Sequence, residues 1–269
     1  VRLGRLAGAD RDDRQPLPLV ELYRKNGPWV WRCHIDVSNP HMELWNYLRQ
    51  FIEQYDATIF SLKEYKKELR VPQVFFMPAI DPFALKNREM SEKEMDERLE
   101  HHNIPTDLPI VTQISRFDRW KDPAGVIEAF NKVRKDVDAT LVLLGNVATD
   151  DPEGEKVFES LLRNQDERII LISQQDSALV NTLQRRAAVV MQKSIREGFG
   201  LTVAEAMWKG TPVIGGNTGG IRYQIKDGEN GYLVDSVDDA AERLRLLLKD
   251  EKLRQKIGKA GSESAQKNF

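Results

Sequence analysis

Apolar positions fall into a regular pattern only after Gln15-Pro16-Leu17-Pro18, where Leu19 to Lys25 reads as a short helix and Trp29 to Ile35 as a strand. Before that point Val1 to Arg14 carries neither a helix period nor a strand period. It is rich in Gly, Arg and Asp, and it reads as a disordered or foreign lead-in over 1–14. Asn39-Pro40 then opens a helix through Met42, Trp45, Leu48, Phe51 and Ile52, whose spacing makes one apolar face. Apolar runs at Ala57–Ser61 and Val74–Met77 predict two more strands, and strands alternating with helices predict parallel units. Met77 to Phe83, MPAIDPF, is punctuated by prolines and has no period, so it reads as a linker. The expected organisation is a partial α/β domain over 15–83 and a second domain over 84–269.

The second domain is more regular. A charged helix begins at Ser91, with Glu94 at the position that completes a capping box. Strands are expected at Ile110–Ile114, Thr140–Leu144, Ile169–Ile172, Ala188–Met191, Pro212–Ile214 and Gly231–Val234. Helices are expected at Pro123–Lys135, Glu153–Asn164, Ser177–Arg186, Leu201–Trp208, Asp238–Leu248 and Glu251–Gln266. Six strands with helices between them predict a doubly wound, Rossmann-like sheet with its ligand crevice at the carboxyl ends of the strands.

One stretch concentrates the chemistry on that edge. Ser194 to Lys209, SIREGFGLTVAEAMWK, follows a buried-strand pattern and leads into a helix with Leu201, Ala204 and Met207 on one face. Gly198 and Gly200 allow close backbone approach, and the helix start presents N–H groups that favour phosphate. Glu197 and Glu205 bracket this joint with seven residues between them, placed to grip different ends of one ligand. The plain alternative is a strand–loop–helix joint with two solvated acids. Arg116 and Lys121, in the loop after the domain's first strand, could hold a diphosphate, or could be a solvated charged turn. Leu144-Gly145-Asn146, Ile172-Ser173 and Asn217-Thr218-Gly219-Gly220 end other strands on the same edge. Their coincidence on one edge carries more than any one of them.

Composition narrows the class. Net charge is −2 with 30% charged residues, so no basic footprint points to nucleic acid. The single cysteine, Cys33, gives no disulfide framework and suits a reducing compartment. The sequence has no run long enough to span a bilayer and no signal-peptide pattern, which predicts a cytoplasmic protein.

The segments SRFDRWKD, LLGN, EGFGLTVAEAMWKGTPVIGGNTGGI and DGENGYLV together resemble the C-terminal half of retaining, GT-B-fold nucleotide-sugar glycosyltransferases of family 4. The resemblance covers residues from about 106 to 269, and the acid pair Glu197/Glu205 is quite specific in that company. Upstream, VWRCHIDVSNPHMELWNYLRQFIEQYDATIFSLKEY resembles the trehalose synthase branch of the family. The resemblance implies reversible transfer of glucose, with retention, from a nucleoside-diphosphate glucose (UDP-, ADP- or GDP-glucose) to free glucose, forming trehalose. It implies that Arg116 and Lys121 hold the diphosphate, that Glu205 accepts from the ribose hydroxyls, and that the Leu201 and Thr202 N–H groups touch phosphate. It places Glu197, Gly198 and Phe199 around the donor sugar, with Gly200 at the helix start and Gly145 and Ser173 on the donor side. His34 matches a histidine near the donor sugar, and Asp36 either orients that ring or caps the following turn. No further cofactor is required and no metal cage is evident, so cations of the chain must offset the departing diphosphate. Partners are the sugar nucleotide and glucose, and a homodimer is compatible with the sequence.

The departures from the family pattern carry expectations of their own. Only about the latter half of a first domain is recognisable, its glycine-rich loop is missing, and Asp13-Arg14 stands where a His-Asp pair is expected. Phe269 stops short of the final helix that crosses back to the first domain. The chain is therefore expected to be a fragment that binds nucleotide through its second domain and transfers glucose poorly, its half-domain exposing sheet edge and apolar surface. A nucleotide-sugar-binding module without efficient turnover remains the alternative to an active transferase, with a ligand-free interaction fragment as a third class.

Overall fold

The computed structural model describes residues 17–24, 27–146 and 152–269. The expected lead-in at 1–14, with Asp13-Arg14, lies outside them. Two compact units divide after Pro78, the second running Ala79–Phe269. The division falls inside Met77–Phe83 because Asp81 to Asn87 folds into a turn belonging to the second unit. The Asn87 N–H donates to the Ala84 carbonyl at 2.8 Å, and Asn87 Nδ2 donates to the Asp81 carbonyl at 2.9 Å.

The first unit contains α1 (Leu19–Tyr23), β1 (Val30–Cys33), α2 (Met42–Ile52), β2 (Ala57–Phe60) and β3 (Gln73–Phe75). Its three strands form a parallel sheet in the order β1-β2-β3. Helix α2 begins at Met42 rather than at Asn39-Pro40, because His41 caps it through Nδ1, which accepts from the Leu44 N–H. Most of the face read from the sequence packs: Trp45, Leu48, Phe51 and Ile52 join Trp31, Phe60 and Tyr65 in one core, while Met42 at the start of the helix does not. Trp31 and Phe60 meet edge-on with ring centroids 5.8 Å apart. Cys33 is a buried free thiol. Met42 and Tyr47 on α2, and Phe76 after β3, remain exposed.

The second unit opens with α3 (Glu92–His101), where Ser91 and Glu94 form the expected reciprocal cap. It continues as β4 (Ile110–Ile114), α4 (Pro123–Val133), β5 (Thr140–Gly145), α5 (Pro152–Leu162), β6 (Ile169–Ser173) and α6 (Ser177–Arg186). Then follow β7 (Ala187–Gln192), α7 (Leu201–Trp208), β8 (Val213–Gly216), α8 (Ile221–Gln224), β9 (Tyr232–Val234), α9 (Val237–Lys249) and α10 (Glu251–Asn268). The strands pair in the order β6-β5-β4-β7-β8-β9, all parallel. All five residues of β4 are buried, as a central parallel strand covered on both faces requires. Alternation then sorts the side chains. Val111, Leu141, Leu143, Val189 and Met191 point to the core shared with α4 and α9, while Val142, Leu144, Val190 and Val213 point to the core shared with α6 and α7. Helix α8 was not foreseen, since four residues carry no readable period.

This strand order reverses direction between β4 and β7. After β4 the chain winds outward through β5 and β6, then returns to lay β7 on β4's other side. A crevice opens at the carboxyl ends of strands at such a point, so the loops after β4 and β7 are where a ligand is expected. Among the described residues no helix is long and apolar enough to cross a membrane.

Candidate functional site

The loops after β4 and β7 are bound together. The Ile195 and Arg196 N–H groups both donate to the Trp120 carbonyl, at 2.8 and 3.3 Å. Lys193, itself buried, pairs with Asp122, which caps α4 through the Gly125 N–H at 3.1 Å from a left-handed backbone conformation. Gln113 Nε2, on β4, donates to the Lys121 carbonyl at 2.7 Å. These bonds fix the height at which Lys121 leaves the loop. Its Nζ lies 2.6 Å from Glu197 Oε2, with 15% of the Lys121 and 12% of the Glu197 side chain exposed. Lys121, expected at the diphosphate, and Glu197, expected at the donor sugar, therefore hold each other. The solvated-turn reading fails for Lys121. It survives better for Arg116, whose side chain is 65% exposed and lies 3.7 Å from Asp118.

The loop after β7 is shaped by its packing on the loop after β8. Gly200 is the N-cap of α7 at φ 85°, a conformation that favours glycine, and no side chain caps the helix there. The start of α7 is thus left to backbone N–H groups, the arrangement that favours an anion. Gln224 Nε2 donates to the Phe199 carbonyl at 2.6 Å, and the Gly220 N–H donates to the Gly198 carbonyl at 3.2 Å. A side chain at Gly220 would collide with the Phe199 backbone at 2.4 Å, so Gly220 of Asn217-Thr218-Gly219-Gly220 serves loop packing. Phe199 itself is buried, Leu201 and Thr202 sit half-buried in the first turn of α7, and Gly198 is half-buried beside Glu197.

Glu205 is the residue whose surroundings differ most from the sequence picture. Helix α7 buries Val203, Ala204, Glu205, Ala206 and Met207, more than the single face of Leu201, Ala204 and Met207. Glu205 is 3% exposed, and its Oε1 lies 2.7 Å from Lys86 Nζ. It is not a solvated acid. One turn further along α7, Lys209 Nζ donates to Asn87 Oδ1 at 2.8 Å and to Gln184 Oε1 at 2.5 Å. Burial pushes the Lys209 ammonium down to about 7, against the upward pull of Glu205, while Arg185 and Lys86 push it down further. Lys86, Lys193 and Lys209 were not picked out from the sequence. Their partners lie in distant segments, so no local pattern could have marked them.

The remaining expected residues are dispersed. Gly145 and Ser173 are register partners on β5 and β6, and Ser173 is exposed. Gly145 has a packing task, since a side chain there would meet the Ser115 carbonyl at 2.2 Å and the Phe117 ring at 2.9 Å. His34 is exposed and belongs to the first unit. Asp36 caps the turn after it, accepting from the Ser38 N–H at 2.8 Å and from its hydroxyl at 2.5 Å.

The family of group 1 glycosyl transferases matches residues 94–264, the span that holds both loops, α7 and every donor-side residue except His34. The chain belongs to this family. The N-terminal domain of trehalose synthases matches residues 11–67 of the chain. It is 45% identical to the trehalose synthase of Thermococcus litoralis over 96% of its own length and 64% of that protein's, so it spans under two thirds of that relative. Its fold is that of GT-B enzymes, each unit built on a parallel sheet. It is similar to sucrose-phosphate synthase from Thermosynechococcus elongatus, with a TM-score of 0.76 at 24% identity over 93% of this chain and 66% of that one. It is also similar to Anabaena HepE in complex with UDP-glucose, with a TM-score of 0.78 at 17% identity over 94% of this chain and 71% of that one.

Proposed function

We propose that the chain moves glucose from a nucleoside-diphosphate glucose to free glucose, with retention and reversibly, forming trehalose. The observation that carries this reading is the Lys121–Glu197 pair at the reversal between β4 and β7, next to the uncapped start of α7. An incoming sugar nucleotide supplies a partner for each member of that pair. Its diphosphate takes Lys121, and its sugar hydroxyls donate to Glu197, so neither charge is left uncompensated when the pair opens. Trehalose synthase relatives and the binding of UDP-glucose by HepE support glucose and a nucleotide carrier.

In the reaction, negative charge grows on the departing diphosphate as the glucosyl carbon becomes oxocarbenium-like. Lys121, Arg116 and the N–H groups of Leu201 and Thr202 are assigned to offset that charge, and fixed charges there would lower the barrier without reorganising. Glu197 positions the sugar and is not a nucleophile. Attack of the acceptor hydroxyl on the face the diphosphate leaves gives retention, the leaving phosphate taking the hydroxyl's proton. His34 has the sugar-side role that the resemblance implies, and Glu205 accepts from the ribose hydroxyls. A second reading, a nucleotide-sugar-binding module without efficient turnover, is favoured by the placement of every donor-side residue but His34 in the second unit.

The test is to incubate the 269-residue chain with UDP-, ADP- or GDP-glucose and glucose, and to follow products by NMR. Slow formation of the α,α-linked disaccharide together with the nucleoside diphosphate is the expected outcome for this chain, which spans 64% of its trehalose synthase relative. A β-linked product contradicts retention, and donor binding without any transfer selects the second reading.

A further inference from the structure

We infer that Lys86 is a nucleoside-positioning residue of the donor site, acting through Glu205 to hold the ribose diol. The inference rests on the reading of Glu205 as the ribose acceptor and adds a residue that this reading does not contain. A carboxylate buried to 3% exposure stays ionised only with a compensating charge, and Lys86 Nζ at 2.7 Å from Oε1 supplies one. An ionised, aimed carboxylate is what a vicinal diol needs, because it accepts from both hydroxyls at once. Lys86 pairs with Oε1 as an ion pair, and Oε2 is the oxygen left to receive the sugar. The Lys86 side chain is 38% exposed, so its ammonium lies at the rim and keeps further donors for a hydroxyl oxygen.

The position of Lys86 is over-determined by its own turn. Asn181 Nδ2 donates to the Leu85 carbonyl at 3.0 Å and to the Arg88 carbonyl at 2.7 Å. Arg185 Nη2 donates to the Asn87 carbonyl at 3.1 Å and to the Arg88 carbonyl at 3.2 Å. Asn87, fully buried, is gripped through Oδ1 by Lys209. Consecutive residues Lys86 and Asn87 thus dock on Glu205 and Lys209, one helical turn apart on α7. A residue needed only to neutralise a buried acid does not require such a mount. One required to aim it does.

The test measures calorimetric affinities of the 269-residue chain for UDP and ADP, taking the tighter-binding nucleotide and its 2′-deoxy analogue as probes. Variants are Glu205→Gln, Lys86→Gln, Lys86→Arg and the double variant Lys86→Gln/Glu205→Gln, with thermal melts as a check on folding. Lys86→Gln should lose about tenfold in affinity for the ribonucleotide and much less for the 2′-deoxy analogue, as expected for a charge-assisted contact. Lys86→Arg should restore most of the loss, and the double variant should bind no worse than Glu205→Gln alone. Should Lys86→Gln fail to fold, the Lys86→Arg protein still decides by its ratio of ribo to deoxy affinity, which should stay within a few-fold of the parent's. If Glu205→Gln weakens the ribonucleotide but Lys86→Gln does not, or if the two losses simply add, the inference about Lys86 is overturned while the donor site stands. If Glu205→Gln has no effect, the ribose assignment fails and takes this inference with it.

Discussion

At the scale of single residues, Lys121 and Arg116 show how the same expected role meets two different environments. Lys121 is nearly enclosed and bonded to Glu197, whereas Arg116 is mostly in solvent beside Asp118. Removing Lys121 leaves the Glu197 carboxylate half-buried without that partner, which costs stability as well as affinity. Removing Arg116 gives up only a 3.7 Å contact with Asp118, whose carboxylate keeps the Trp120 and Lys121 N–H groups. Lys121→Ala should therefore lose about 1.5–3 kcal/mol of nucleotide affinity and also melt earlier, while Arg116→Ala should lose affinity without a shift in melting. Titration of UDP and ADP into both variants, paired with urea unfolding, checks this. Parent-like binding by both variants would remove the diphosphate assignment. These pairs also mark the boundary of what sequence shows. The Glu197/Glu205 spacing and the loop cations are local patterns and could be read. Lys86 against Glu205 and Lys193 against Asp122 join distant segments, and nothing in either segment alone announces the partner.

At the scale of elements, legibility followed periodicity and caps. Strand β4 and helices α6 and α7 were placed at their observed ends because apolar runs and flanking turns agreed there. Helix α8 escaped for want of length, and the buried back of α7 escaped because spacing predicts one face, whereas α10 packs on this helix as well. Helix α3 was read from its cap, and its cap gives a prediction. The Ser91 hydroxyl accepts from the Glu94 N–H at 3.2 Å, and Glu94 Oε2 accepts from the Ser91 N–H at 2.8 Å. The bond from the Ser91 backbone, followed by that from Arg88, holds the Glu94 carboxyl down at about 2. A carboxyl held below its unfolded value of 4.5 adds stability above that value and loses it as pH falls through the folded one. Glu94→Gln should accordingly flatten the acid limb of the stability curve between pH 4.5 and 2, and Ser91→Ala should cost about 1 kcal/mol near neutrality. Urea unfolding across that pH range reads both effects. Superimposable acid limbs for parent and Glu94→Gln would show that this cap contributes nothing to pH dependence.

At the scale of the whole molecule, the proposal is that the reversal of strand order in the second unit brings the donor-side loops together into a nucleotide-sugar site. The fold class was legible because alternating strands and helices leave a doubly wound sheet as the economical solution. The expected edge was legible because Arg116 and Lys121, Gly145, Ser173, Glu197 and Asn217 all fall at or after a strand's carboxyl end. Which residues meet there was not, since that depends on how three loops pack. The most direct measurement is a calorimetric titration of UDP-, ADP- and GDP-glucose into the 269-residue chain, repeated with Glu205→Gln and Glu197→Gln and with the free nucleoside diphosphates. Saturable one-site binding of at least one sugar nucleotide is predicted, weakened about tenfold or more by Glu205→Gln for sugar nucleotide and free nucleotide alike. Glu197→Gln should weaken the sugar nucleotide more than the free nucleotide. No binding of any of the three by the folded parent would contradict the account.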